Sequence, residues 1–317
     1  MQSRDEERVF KEVAEVPLPY TKSLIERKWK LKHGRRGDLA GYETEFSRDA
    51  ESANFNLLFY KYSPDIRKEE IKGRKSKWLA KIADVTPIIE SNLPDMHLYK
   101  VLKVHSNDQL KEKLKLVFGL RDKKSVAIFD AKTAQPLIIG LGEPSPYETG
   151  ITLDFLTGLP IVPGSALKGI ARRAAIMKLS GKTDVLPYGE EFEELAKVYD
   201  QHEQIVEIFG TQDQKGKVIF MDAYPIEWPN RLFRVDIMNP HYGPYYRNPS
   251  KENPPADWYE PKPIPYLTVN TGVTYRFVLA SRDSSLLEKA EEWLKFALEN
   301  IGVGAKGNQG YGVFQLK

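Results

Sequence analysis

Short apolar runs divide the second half of the chain into predicted strands. They cover residues 126–129, 136–142, 216–225, 266–279 and 312–316. Each run is rich in β-branched or aromatic residues and is bounded by glycine, proline or a polar turn, as is typical of strands. Residues 151–161 form a further apolar series, which predicts a hairpin that turns at Thr157 and Gly158.

Three other segments space their apolar residues by three and four, which predicts helices. The first begins at Ser165, the predicted N-cap. Its buried side would carry Leu167, Ile170, Ala174 and Met177. The second helix covers residues 192–209, and the third follows a cap at Asp283 or Ser284 and runs to Ile301.

The order of these segments from residue 136 onward is strand, helix, strand, strand, helix, strand. This is the βαββαβ order of ferredoxin-like domains, which RNA-recognition modules share. We therefore predict an α+β fold with a ferredoxin-like palm in residues 126–317, with insertions around the first helix and before the third strand. Residues 1–125 place apolar residues at helical spacing among many basic ones, which predicts a largely helical N-terminal region packed on the palm.

Composition narrows the class of protein. The chain has 317 residues and no cysteine, which excludes disulfides, thiolate zinc sites, iron–sulfur clusters and a cysteine nucleophile. Its five histidines are scattered without a metal-binding spacing, so neither a metal nor a cofactor is predicted. No apolar run is long enough to cross a membrane and the first residues are charged, so we expect a cytoplasmic protein with no membrane contact.

The charges are segregated along the chain although the formal net charge is only +3. Two basic stretches comprise Lys22, Arg27, Lys28, Lys30, Lys32, Arg35 and Arg36, then Lys61, Arg67, Lys68, Lys72, Arg74, Lys75, Lys77 and Lys81. A compensating acidic stretch comprises Asp184, Glu190, Glu191, Glu193, Glu194, Asp200, Glu203 and Glu207. This pattern fits a phosphate-binding side and an acidic side, and solvated helix faces would give the same pattern.

A glycine-rich stretch in residues 302–312 surrounds Lys306. Glycine permits positive φ and lets a ligand approach the backbone amides, so the stretch could bind an anion. It is not a dinucleotide-binding fingerprint, because the predicted helix precedes it, and it is not a P-loop, because Asn308 follows Gly307 where lysine is required. The helix dipole disfavours anions here, which leaves Lys306 and free amides to bind them. A glycine C-cap with a tight turn is the simpler alternative.

The start of the first predicted helix offers a second candidate site. Ser165, Lys168 and Arg172 would share one exposed side, with the amides of Gly164 and Ser165 open at the helix start. A phosphate there would meet N–H groups, a hydroxyl and two cations, although an ordinary capped amphipathic helix would look the same. In a ferredoxin-like domain both stretches can border one surface, where they would hold one RNA strand.

Three motifs in sequence order resemble the RAMP superfamily of CRISPR RNA-binding proteins. They are residues 159–169, residues 208–210 with 218–225, and residues 302–312. Residues 235–242 and 263–267, with Tyr245, Tyr246, Asp257 and Trp258 between them, are most similar to the sixth-subunit family of type III-B (Cmr) effector complexes.

This resemblance implies a ferredoxin-like palm, a projecting hairpin and a non-catalytic subunit of an antiviral complex. Such a subunit holds crRNA and its target RNA near the crRNA 3′ end, beside backbone and end-capping Cmr subunits, and a neighbouring subunit cleaves the target. The implied RNA contacts on this chain are Gly164, Ser165, Lys168, Arg172, Gly304, Lys306, Gly307, Asn308 and Gln309. Arg74, Lys75 and Lys77 are added as candidates from their charge alone.

Two other function classes fit parts of the sequence. A metal-independent endoribonuclease that processes precursor crRNA would need a general base, and His241, with Asp236 and Tyr242 nearby, is the candidate. A histidine in this proline- and tyrosine-rich segment could equally be a packing residue. A subunit that contacts only protein could dock its acidic stretch on a basic neighbour.

Overall fold

The computed structural model describes residues 79, 83, 97–120, 125–183, 189–250 and 253–317. The helices in these segments are α1 Leu98–Val104, α2 Asn107–Val117, α3 Gly164–Ser180, α4 Glu190–Tyr199, α5 Glu203–Phe209, α6 Gly243–Arg247 and α7 Ser284–Asn300. The strands are β1 Val126–Thr133, β2 Val218–Phe220, β3 Tyr224–Glu227, β4 Phe233–Met238, β5 Ile264–Val269, β6 Thr274–Ser281 and β7 Phe314–Leu316. Most of the predicted N-terminal region, including Arg74, Lys75 and Lys77, lies outside the described residues.

The main sheet is antiparallel and has the strand order β2-β6-β1-β7, with β3 also paired to β6. Its centre is the long β1–β6 ladder, in which Phe129 lies opposite Phe277 and the two rings stack 5.1 Å apart. Helix α7 contacts β1, β2, β6 and β7, and α3 packs against α7. The buried rings of Trp293, Phe277 and Phe314 lie in this core. The predicted α+β class is therefore confirmed.

The other face of the sheet contacts α1 through one charged cluster. The guanidinium of Arg276 donates two hydrogen bonds to the carboxylate of Asp130, each 2.8 Å long, and a third of 2.7 Å to the Leu102 carbonyl of α1. Since the side chains of Arg276 and Asp130 are 13% and 23% exposed, this cluster is largely withdrawn from water. The hydrogen bonds to Asp130 raise the pKa of Arg276 above its ordinary value.

Three strand predictions are wrong. Residues 216–225 are not one strand, because β2 ends at Phe220 and β3 begins at Tyr224. Residues 266–279 form two strands, because Asn270 to Gly272 make a turn in which Gly272 has a φ of +81°, and β5 pairs with β4 in a separate two-stranded sheet. Residues 136–142 form no strand. Leu137 makes an isolated bridge to Val269, and the carbonyls of Pro136 and Ile138 accept hydrogen bonds from the 302–312 stretch. Residues 136–139 are buried, but they extend no ladder, and two of their carbonyls accept from that stretch.

Other elements follow the sequence more closely. The predicted turn at Thr157 and Gly158 is present, closed by a 2.8 Å hydrogen bond from the Asp154 amide to the Leu159 carbonyl. The helix predicted over residues 192–209 is divided into α4 and α5. None of the helices in the described part of the chain is both long and apolar enough to cross a lipid bilayer.

Candidate functional site

Helix α3 begins at Gly164, and its N-cap is Pro163, so the prediction that Ser165 caps the helix is wrong. The capping acceptor comes from a distant segment, because the Gly164 amide donates a 2.7 Å hydrogen bond to Asp222 Oδ1. A Cβ atom at Gly164 would collide with the Phe220 carbonyl oxygen, which explains the glycine. The expectation of an open Gly164 amide is therefore wrong, since Asp222 already occupies it.

The predicted cationic side of α3 is present in part. Ser165 is exposed and Lys168 is partly exposed. Arg172 lies on the same helix, and its guanidinium forms an ion pair with Asp200, just after α4. The buried side of α3 differs slightly from the prediction, because Ile170 is only half-buried. The buried residues of the helix are Gly164, Leu167, Ala171, Ala174, Ala175, Ile176 and Met177.

The stretch 302–312, here called the glycine loop, is fixed by backbone hydrogen bonds. Gly302, with a φ of +78°, ends α7 by donating to the Ala297 carbonyl at 2.9 Å, so the predicted C-cap is confirmed. Three further amides bond outside the helix: Val303 to Gly312 at 2.9 Å, Ala305 to Ile138 at 2.8 Å and Gly312 to Pro136 at 2.9 Å. The loop is thus more than a cap, because it is also bonded to the 136–138 segment.

The tip of the glycine loop presents unused amides. Lys306 has a φ of +60°, in the left-handed region, and precedes a 3-10 turn at Gly307–Gln309. Within the segments that the structure describes, the amides of Gly304, Lys306, Gly307 and Asn308 donate to no acceptor. Asn308 and Gln309 are exposed. Consecutive unpaired amides at a left-handed residue are a typical anion-binding arrangement, and anion binding by this loop stays a prediction.

The ammonium of Lys306 is held over an aromatic ring. Its Nζ lies 5.1 Å from the ring centroid of Tyr266 in β5. The Tyr266 hydroxyl donates to the Tyr311 hydroxyl at 3.3 Å, and Tyr311 donates to Asp236 Oδ2 at 2.7 Å. Burial, then the neighbouring hydroxyl, raises the pKa of the Tyr266 phenol above its ordinary value. Burial also raises the pKa of Tyr311.

Helix α3 and the glycine loop face each other across an open cleft of about 350 Å³. The lining residues are Gly169, Ile170, Arg172, Arg173, Phe192, Ile301, Gly302, Gly304, Gly307 and Asn308. The structure therefore brings together the two stretches that the sequence singled out, with Lys168 adjacent in sequence to one wall and Lys306 to the other. Of the predicted site residues that the structure describes, five do not line the cleft: Gly164, Ser165, Lys168, Lys306 and Gln309. Arg74, Lys75 and Lys77 lie outside the described residues.

Two cleft residues were missed by the sequence argument. The guanidinium of Arg173 lies 4.8 Å from the ring centroid of Phe192, at the start of α4. Arg173 follows Arg172 directly, and this pair of adjacent arginines could have indicated both as cleft residues. Helical spacing, however, placed only Arg172 on the same side of the helix as Lys168. Phe192 carried no signal, because it stands within the acidic stretch.

The catalytic alternative finds no supporting contact. His241 is exposed, and in the described part of the chain its ring makes no hydrogen bond or ion pair; the Tyr242 ring lies 6.5 Å away between centroids. Asp236 is bonded to Tyr311 and lies 3.4 Å from the Arg234 guanidinium instead. Among the described residues, no three His, Asp or Glu side chains converge where they could hold a metal ion.

Comparisons with known proteins agree with the motifs. A model of the RAMP superfamily matches residues 130–315. The chain is 32% identical to the CRISPR system Cmr subunit Cmr6 of Pyrococcus furiosus, over 82% of this chain and 94% of that protein. It is 29% identical to the CRISPR system CMR subunit Cmr6 of Saccharolobus solfataricus, over 86% of this chain and 84% of that protein.

A solved structure shares the fold. A chain of the cryo-EM structure of the type III-B Cmr-beta bound to cognate target RNA superposes with a TM-score of 0.54 and 24% identity, over 86% of this chain and 84% of that one. At this identity the likeness concerns the fold alone. With a superfamily model that spans most of the described residues and a relative at 32% identity, the chain belongs to the RAMP superfamily.

Proposed function

We propose that the chain is a non-catalytic, cytoplasmic RNA-binding subunit of a type III-B CRISPR (Cmr) effector complex. In this role it holds crRNA and its target RNA near the crRNA 3′ end and contacts neighbouring Cmr subunits in antiviral defence. Target cleavage belongs to a neighbouring subunit. Relatives named as Cmr6 subunits, and a fold shared with a chain of a Cmr complex bound to target RNA, support this proposal.

The palm of the proposed subunit is ferredoxin-like. When α4 and α5 are treated as one insertion and the segment from β3 to β5 as another, the remaining elements from β1 onward follow the order β1, α3, β2, β6, α7, β7. Their sheet order β2-β6-β1-β7 is the one expected when two split βαβ units interleave in an antiparallel sheet. The β4–β5 pair then corresponds to the projecting hairpin that the resemblance implies.

The cleft between α3 and the glycine loop carries the proposal. It combines the guanidinium of Arg172, one nitrogen of which pairs with Asp200, with unpaired amides of Gly304, Gly307 and Asn308. Guanidinium and backbone N–H groups are the donors that bind phosphate oxygens, and none of them selects a base. A ribose-phosphate strand held without regard to sequence is therefore the ligand that this chemistry fits, as a guide-binding subunit requires.

Substitution of Lys168 and Lys306, which are adjacent in sequence to the lining residues Gly169 and Gly307, tests the proposal. In the full chain, Lys168→Ala with Lys306→Ala should weaken single-stranded RNA binding. The slope of log K against log salt should fall in magnitude by roughly 0.7 for each phosphate contact that is lost. Lys178→Ala, in the last turn of the same helix, is the matched control and should bind as the parent does. Unchanged affinity and slope in the double variant would reject these contacts.

The same purified chain can be used to test whether the protein is an endoribonuclease. Precursor RNA incubated with the isolated chain should remain intact in the absence of added metal. Cleavage that disappears in His241→Ala would instead establish an endoribonuclease. A chain that ignores RNA but co-purifies with Cmr subunits would identify a subunit that contacts only protein.

A further inference from the structure

We infer that Tyr266, Tyr311 and Asp236 are positioning residues that hold the ammonium of Lys306, the residue that precedes Gly307 in the cleft wall. This inference rests on the proposed function, since it assigns a role to residues that act on RNA only through Lys306. The three residues come from β5, the glycine loop and β4, so the two-stranded sheet would set the geometry of the loop.

The Tyr266 ring that contacts Lys306 is held in place by packing. Tyr266 is 1% exposed, so its ring is fixed by packing, and the lysine Nζ lies 5.1 Å from the ring centroid. The Lys306 backbone is itself constrained, with a φ of +60° that few non-glycine residues adopt. A lysine side chain on an open surface samples many rotamers, and the contact with the ring restricts this one before RNA arrives.

The hydrogen-bond chain strengthens that contact. Tyr266 donates to Tyr311 at 3.3 Å, Tyr311 donates to Asp236 Oδ2 at 2.7 Å, and the Ile237 amide donates to Asp236 Oδ1 at 2.9 Å. Donation toward a carboxylate leaves electron density on each phenol, because hydrogen bonds in series polarise one another. The Tyr266 ring face becomes more negative and attracts the ammonium more strongly.

The charges around the chain favour this arrangement. Arg234 lies 3.4 Å from Asp236 and pairs with its carboxylate. The carboxylate therefore forms no direct ion pair with Lys306. Among the described residues, Lys306 makes no ion pair with any carboxylate. Its positive charge is therefore held in place by the ring and stays available to a phosphate.

A double-mutant cycle on the full chain tests the inference with single-stranded RNA. Tyr311→Phe removes the link between Tyr266 and Asp236 but leaves the Tyr266 ring, so it should weaken binding about twofold to fivefold, at most the size of one exposed cation–π contact. The salt slope should stay at the parent value, because the number of phosphate contacts is unchanged. In a Lys306→Ala background, Tyr311→Phe should cause no further loss, since the ammonium it positions is absent.

Tyr275→Phe is the matched control, because it removes another buried tyrosine hydroxyl. That hydroxyl donates a 2.9 Å hydrogen bond to the Pro160 carbonyl, which is not part of the glycine loop. It should lower the melting temperature and leave RNA affinity unchanged. If Tyr311→Phe does not fold, Asp236→Asn tests the same chain by removing the charge at its end. A loss that is equal in both backgrounds, or no loss at all, would overturn the positioning role alone. Unchanged binding in Lys306→Ala would overturn both this role and the proposed contact of Lys306 with RNA.

Discussion

Single glycines in the loop are needed for different reasons. Gly304 has a φ of +94°, and a Cβ atom there would collide with the Ile138 carbonyl oxygen. Gly310 has a φ of +87°, but a Cβ atom would meet nothing within 4 Å. At both positions alanine would strain the backbone, because φ is positive. Only at Gly304 would its Cβ atom also collide with a neighbouring atom.

This difference predicts unequal effects of alanine on stability. Gly310→Ala should lower the free energy of unfolding by about 1–2 kcal/mol, the cost of a left-handed conformation with a Cβ atom. Gly304→Ala should lower it by about 2–4 kcal/mol, because the Ile138 carbonyl must also move. Chemical denaturation of both variants measures the difference, and equal losses would show that the loop adjusts freely at Gly304.

The residue types at the site could be predicted, but their partners could not. Glycine, lysine and arginine at residues 164–172 and 302–312 indicated an anion site from local chemistry. The acceptor for the Gly164 amide is Asp222, 58 residues away, and sequence rules favoured the adjacent Ser165 as the cap. Likewise Pro136 and Ile138 bond to the glycine loop across most of the domain, and no local pattern reveals such a pairing.

Among the elements, α7 shows a cap that depends on charge. The Asp283 carboxylate accepts hydrogen bonds from the Ser285 amide at 2.9 Å and the Leu286 amide at 3.3 Å. A hydrogen bond from the Ser285 hydroxyl, followed by the backbone amides, lowers the pKa of Asp283 below its ordinary value. The charged form is therefore favoured in the folded state.

Removal of this cap should destabilise the protein in a pH-dependent way. Asp283→Ala should lower the free energy of unfolding by about 1 kcal/mol at neutral pH. Because the folded-state pKa is depressed, the stabilisation is complete above the unfolded-state pKa of about 4 and is lost as the pH falls through the folded-state pKa. Parent and variant should therefore converge in acid when their denaturation is compared. Asp283→Asn, which keeps the cap without the charge, should remove most of this pH dependence.

Helices were easier to predict than strands for a physical reason. A helix satisfies its own backbone hydrogen bonds, so α3 and α7 appear where the apolar periodicity predicts them, although the predicted cap of α3 was wrong. A strand needs a neighbour, which an apolar run alone does not supply. Residues 136–142 are apolar and partly buried, yet the carbonyls of Pro136 and Ile138 accept from the glycine loop, and a single bridge from Leu137 to Val269 does not extend into a ladder.

At the scale of the molecule, one ion pair joins the sheet to the helices on its other face. Arg276 of β6 binds Asp130 of β1 and the Leu102 carbonyl of α1. Arg276→Met should lower the free energy of unfolding by about 2–3 kcal/mol, because it leaves a partly buried carboxylate and a carbonyl without a donor. Adding Asp130→Leu should recover part of the loss in thermal denaturation. A double variant as unstable as the sum of the single variants would show that the two residues act independently.

The fixed backbone of the glycine loop has a kinetic consequence. Its hydrogen bonds to Pro136 and Ile138 fix the loop to the domain, so the binding site is formed before RNA binds. An RNA strand should then associate in a single exponential phase whose rate rises linearly with RNA concentration, limited by encounter and steered by charge. In stopped-flow experiments the observed rate should not level off at high RNA concentration, as it would if a slow lid closure followed binding.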